Sequence, residues 1–196
     1  MSVDTRDRIL IEAERLFGQH GFTATRLASI ASAVGLGNAG LLHHFPSKAA
    51  LYRAVLDDIA ADLDTRYQVD DDSVSAVSKL KELIEGLLSM QRDRPSAMAI
   101  IAHEFLDQSG RIEGAEFLPL AGVVEDTVAI LQAGQRAEVV RPGDPIAMTA
   151  ALHGALIIGC IGRTVYHRTG GVPSSDAWET ELAHSALASV LLSSLE

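Results

Sequence analysis

The sequence predicts an all-α chain: a three-helix head containing a helix-turn-helix, followed by a larger helical body. Three observations carry that expectation. Apolar residues recur at helical spacing over most of the 196 residues, no stretch alternates as a half-buried strand would, and glycine or proline separates the periodic segments. The expected division is a head over residues 1–48, a linking helix over about 48–67, and a body over 68–196.

The first helix takes Asp4 or Thr5 as its cap, carries Ile9, Ala13, Leu16 and Phe17 as an apolar stripe, and is expected to end at Gly18 and Gly21. Leu27, Ile30, Ala31 and Val34 define a second helix. Gly35 then supplies a permissive backbone for a tight turn with Leu36 packed beneath it, and a third helix runs from about Asn38 to His44. Two short helices joined in this way form a helix-turn-helix, whose second helix enters the DNA major groove. Phe45-Pro46-Ser47-Lys48 breaks the chain and starts a longer helix with Leu51, Val55, Leu56, Ile59 and Leu63 inward.

Asp70-Asp71-Asp72 reads as a solvated loop. A helix follows over about Val74 to Arg92, and Pro95 separates it from another over Ser96 to Gln108. The punctuated stretch Ser109 to Pro119 leads into a helix ending near Gly134. Asp144 is expected to cap, and Pro145 to open, a helix reaching Arg168; the last helix spans Ser175 to Ser194. From Ile146 to Gly162 the chain is nearly uncharged, yet it holds His153 and falls short of the ~20 residues a membrane span needs, so a buried helix is expected.

The head resembles the TetR family of bacterial transcriptional regulators. The matching residues are Phe17, Gly21 and Phe22, then Thr25, Ile30-Ala31, Val34-Gly35-Leu36, and His44-Phe45-Pro46-Ser47-Lys48 with Leu51, over roughly the first 60 residues. The chain departs from that pattern where members commonly carry a tyrosine at the position of Leu42, a small or hydroxylated residue at Gly40, and often a serine at Gly37. Gly37 and Gly40 are expected to weaken the third helix, each by about 0.8–1.0 kcal/mol in a helix interior.

The resemblance implies a homodimer, paired through its last two helices, on a double-stranded, palindromic DNA operator. It places Asn38, Ala39 and Gly40 at base edges, and Thr25, Arg26, His43, His44 and Lys48 at phosphates. Asparagine pairs bidentately with adenine and alanine touches a thymine methyl, whereas phosphate contacts position without conveying sequence. Thr25 as an N-cap and His44 as packing against the first helix stand as alternatives.

The resemblance also implies a small-molecule effector that releases the repressor from its operator. Met90, Met98, Ile101, Phe105, Phe117 and Trp178 are candidate walls and Glu104, His103 and His153 candidate anchors, with plain core as the other reading of each. Residues 1–56 hold six basic residues against four acidic ones, so the remaining 140 carry −12 of the net −10. A neutral or cationic apolar effector fits that field, though Arg111 or Arg163 can reverse the preference locally.

Other functions find less support in the residues. The single cysteine, Cys160, permits no internal disulfide and sits in an apolar stretch, unlike an activated nucleophile. Glu181 and His184 form one Glu-x-x-His motif where a di-iron bundle needs two, and His103, His153, His167 and His184 show no i, i+4 pair. No catalytic residue, metal or cofactor is therefore assigned. A helical metal-binding or structural adaptor protein without DNA binding is the alternative, and it leaves the head motif unexplained. No signal peptide opens the chain, so a cytoplasmic, non-enzymatic regulator without a membrane anchor is expected.

Overall fold

A computed structural model describes residues 4–67, 73–106, 120–168 and 175–192. The acidic run at 70–72, the stretch 107–119 with Arg111 and Phe117, and the last four residues lie outside the described residues. The described residues form ten helices: α1 (Thr5–Ala24), α2 (Leu27–Ala33), α3 (Asn38–His44), α4 (Lys48–Arg66), α5 (Ala76–Asp93), α6 (Pro95–Leu106), α7 (Ala121–Arg136), α8 (Pro145–Ile161), α9 (Arg163–Arg168) and α10 (Ser175–Ala188). None of them is long and apolar enough to cross a membrane.

The helices cluster into two compact units, one of residues 1–61 with 94–120 and one of residues 62–93 with 121–196. This grouping differs from a head closed at residue 48. It joins α6 to α1, and the reason is local: a Cβ at Gly18 would stand 2.7 Å from the Ser96 carbonyl oxygen, so the glycine is what lets α6 lie against α1. Arg94 ties the same unit together by pairing with Glu14 on α1 and, at 2.8 Å, with Asp58 on α4.

The core of this first unit is built from Ile9, Ala13, Leu16, Phe17, Ile30, Leu41, Leu51 and Tyr52, all buried. Tyr52 meets Phe17 edge to face at 4.9 Å and Phe22 at the same separation. Each large aliphatic or phenylalanine side chain among these contributes about 1.5–3 kcal/mol on burial, which holds the seven-residue helices α2 and α3, too short to be stable singly, against α1. Asp4 caps α1 through its carboxylate, as expected. Gly18 does not end the helix, and Gly21 kinks it with φ 74° before it runs on to Ala24.

In the second unit α7 and α8 pack with α5, and α10 packs on α5 and α8. Asp144 accepts a hydrogen bond from the Ala147 amide at 2.8 Å with Pro145 in the first turn, the start read from sequence. The expected continuous helix from Pro145 to Arg168 is instead two. It stops at Gly162, whose amide donates to Ile158, and restarts as α9 because the Gly162 carbonyl then accepts from Val165 and Tyr166. The last helix ends at Ala188 rather than Ser194, where Val190, Leu191 and Leu192 turn to pair with residues 139–141.

Within a single chain α8 is buried on one face only. Met148, Leu152, Leu156, Ile157, Gly159 and Cys160 face inward, whereas Ile146, Ala147, Ala150, Ala151, Gly154, Ala155, Ile158 and Ile161 are exposed. Two faces of one apolar helix thus have different neighbours. A Cβ at Gly159 would fall 2.6 Å from the Leu182 side chain on α10, and one at Gly154 would meet nothing within 4 Å.

Candidate nucleic-acid interface

The turn between α2 and α3 is fixed by backbone hydrogen bonds that only a left-handed residue can close. Gly35, at φ 75°, donates to Ser32 at 3.1 Å while Leu36 donates to Ala31 at 2.8 Å, the paired bonds of a Schellman cap. Leu41 on the inner side of α3 and Phe45 at its C-cap are buried. The helix is thereby fixed in rotation, so Asn38, Ala39, Leu42 and His43 are exposed on the other side. Gly37 is the N-cap of α3, where glycine is tolerated, so only Gly40 lies within the helix and carries the expected weakening.

The residues assigned to phosphates divide into two groups. Arg26 is exposed at the start of α2, and His43 and His44 stand with rings 5.7 Å apart in the last turn of α3. Lys48 is positioned more tightly: its ammonium donates to the Thr23 carbonyl at 3.2 Å and lies 4.4 Å from the Phe22 ring centroid, and partial burial pulls its pKa below the ordinary lysine value. Thr25 differs, because it is buried and its hydroxyl donates toward the Leu16 and Gly21 carbonyls at 3.1 and 2.8 Å. Its side chain closes the end of α1.

Two arginines outside the sequence assignment brace this arrangement. Arg8 donates to the Val34 carbonyl at 3.0 Å, and the Arg6 guanidinium lies 5.0 Å from the Phe45 ring centroid. Both join α1 to the ends of α2 and α3. Their one-turn proximity on α1 is visible in the sequence, but their partners, 26 and 39 residues away, have no local signal.

The candidate effector residues belong to two different units. In the first, Met98 and Ile101 are core, Phe105 is exposed, and the Glu104 carboxylate accepts from the Tyr52 hydroxyl at 2.7 Å. His103 has a buried Nδ1 without a hydrogen-bond partner among the described residues, and it lines a cleft of about 350 Å³ with His20, Phe22, Thr23 and Leu106.

In the second unit Met90 is core, and the Trp178 indole donates to the Gly159 carbonyl at 3.2 Å. His153 is buried within 3.0 Å of the Thr127 hydroxyl, and desolvation pushes its pKa down to about 4. Burial raises the Cys160 thiol to about 11, which opposes use as a thiolate nucleophile. Sequence reasoning missed a groove of about 530 Å³ in this unit, where Arg92 pairs with Glu85 and Glu179 beside His184. No group of three or more His, Cys, Asp or Glu among the described residues could hold a metal ion.

Residues 9–55 match the family model described as bacterial regulatory proteins, tetR family. The HTH-type transcriptional regulator RutR of Escherichia coli strain K12 is 30% identical over 137 residues, 70% of this chain and 65% of that protein. The chain spans about two thirds or less of the length of the curated relatives it matches, 65% in the case of RutR. Two solved structures share the fold. AibR in complex with isovaleryl coenzyme A and operator DNA superposes with a TM-score of 0.76 at 19% identity, covering 96% of this chain and 98% of that one. The ketosteroid transcriptional regulator KstR2 of Mycobacterium tuberculosis gives 0.75 at 19% identity, over 98% and 97%.

Proposed function

The chain belongs to the TetR family of bacterial regulatory proteins, and from that premise we propose that it is a cytoplasmic transcriptional repressor that binds a palindromic operator as a homodimer and is released by a small molecule. One observation carries the DNA-binding reading: α3 is held by a glycine cap and the buried Leu41 so that Asn38, Ala39, Leu42 and His43 project together. Asn38 offers the donor and acceptor that adenine N7 and N6 require. Arg26, His43, His44 and Lys48 supply the flanking phosphate contacts, and Thr25 supports them by closing α1.

Two copies would place two α3 helices in successive major grooves about 10 bp apart. The exposed, uncharged face of α8 is the surface proposed to join them, since Ile146, Ile158 and Ile161 are 66%, 45% and 41% exposed on a helix without a charged side chain. The effector is proposed to be apolar and neutral or cationic, because residues 57–196 carry −12. Thermal-shift screening with matched apolar anions, neutrals and cations checks this, and stabilisation by anions alone overturns it.

Selection of the full-length chain against random duplexes tests the main reading. The expected result is enrichment of inverted half-sites. Uniform, wholly salt-governed retention of all duplexes would refute it.

A further inference from the structure

If α3 meets base edges, the composition of its outer face decides which bases it can read. The arginine and lysine side chains described in the first unit all lie off that helix. Arg6 stands over Phe45, Arg8 binds the Val34 carbonyl, Arg15 pairs with Glu12, Arg53 with Asp57 and Arg94 with Glu14 and Asp58; Lys48 rests on Phe22 and Arg26 precedes α2. The commonest reader of guanine is a bidentate arginine or lysine on O6 and N7. α3 presents neither. His43 lies in the last turn of the helix beside His44 and offers single ring nitrogens, not a fork.

What the face does present is an amide and two aliphatic groups. Leu42 follows Asn38 by four residues and Ala39 by three, so the three side chains share one stripe. Leu42 is 42% exposed, an isobutyl group left in water one turn beyond the adenine reader. The only apolar group on a major-groove base edge is the thymine C5-methyl.

We infer that Leu42 is a specificity-determining residue that packs on a thymine methyl, so that Asn38 and Leu42 together select A·T pairs at the core of each half-site. This rests on the DNA-binding reading above. Leu42 then conveys sequence, where a residue gripping phosphate would not.

The test uses the full-length chain and the duplex enriched from a random pool. Each thymine is replaced in turn by deoxyuridine, which removes one methyl and keeps every hydrogen-bonding group. One position per half-site is expected to lose affinity about fourfold, and both together about fifteenfold, the value of one and two buried methyl-sized groups. Leu42→Ala, checked for an unchanged circular dichroism spectrum, is expected to bind the thymine and deoxyuridine duplexes alike.

Indifference of the unaltered chain to every replacement overturns the inference while leaving sequence-specific binding in place, as does an enriched core of G·C pairs. Persistence of the methyl effect in Leu42→Ala assigns it to Ala39 and overturns the role of Leu42. Absence of any enriched duplex overturns this inference and the DNA-binding reading together.

Discussion

α3 and α8 each turn an uncharged face outward, yet the two faces have different chemistry. On α3 the exposed set includes an amide and an imidazole, Asn38 and His43, with Arg26 and Lys48 nearby in the chain. On α8 it consists of alanines, Gly154, Ile146, Ile158 and Ile161, with no side chain able to hydrogen-bond. Lack of charge therefore says little by itself. A face with one strong donor-acceptor group suits base edges, whereas a smooth aliphatic face is complementary to another like itself, which is what a twofold dimer requires.

The largest effect that separates the two faces is expected from Gly154→Glu. If α8 meets its copy there, a buried and unpaired carboxylate should weaken association by about 3–5 kcal/mol. Sedimentation should then show a monomer that keeps the wild-type melting temperature of its head, and a persistent dimer would move the interface elsewhere.

Two histidines differ in the same way, His43 exposed on α3 and His153 buried. With a folded pKa of about 4, below the ordinary histidine value, the fold favours neutral His153. Its contribution is complete above about pH 6.5 and is lost as pH falls toward 4, at an order-of-magnitude cost of about 3 kcal/mol. Denaturant titrations at several pH values should give a flatter profile for His153→Gln, and parallel profiles would contradict the assignment.

Gly159→Ala sharpens the contrast within α8. Its new methyl would meet Leu182, so unfolding should become easier by about 1–3 kcal/mol without change in assembly. The smallest expected effects concern backbone alone. Gly40→Ala has ordinary contact at 3.7 Å from Leu36 and should stabilise α3 by about 0.8–1.0 kcal/mol. Glu138, at φ 56° after α7, occupies the left-handed position that glycine fills in the head at Gly35, and Glu138→Gly should gain up to about 1 kcal/mol in chemical denaturation.

Legibility in the sequence followed the range of the interactions. Asp4, Gly35, the break before Lys48, and the Asp144-Pro145 start were readable because a cap or a broken helix is specified within four or five residues. The restart after Gly162 was not, since a run of apolar residues continues across it and only backbone hydrogen bonds reveal the division. Gly18 read as a terminus because its purpose is contact with Ser96, 78 residues on. In the candidate site, the outward placement of Asn38 and Ala39 was implied by the family resemblance, and both are exposed. The inward hydroxyl of Thr25 and the seat of Lys48 on Phe22 depend on tertiary packing, which periodicity does not encode.

The most direct measurement is the affinity of the Asn38→Ala chain for every single-base-pair variant of the selected duplex, beside Lys48→Ala on the same set. Asn38→Ala should lose about 1–3 kcal/mol on the selected site and lose discrimination at one A·T pair per half-site, while Lys48→Ala should weaken all variants alike and lower the salt slope by about 1. Unchanged discrimination in Asn38→Ala at every position would contradict the assignment of base reading to α3.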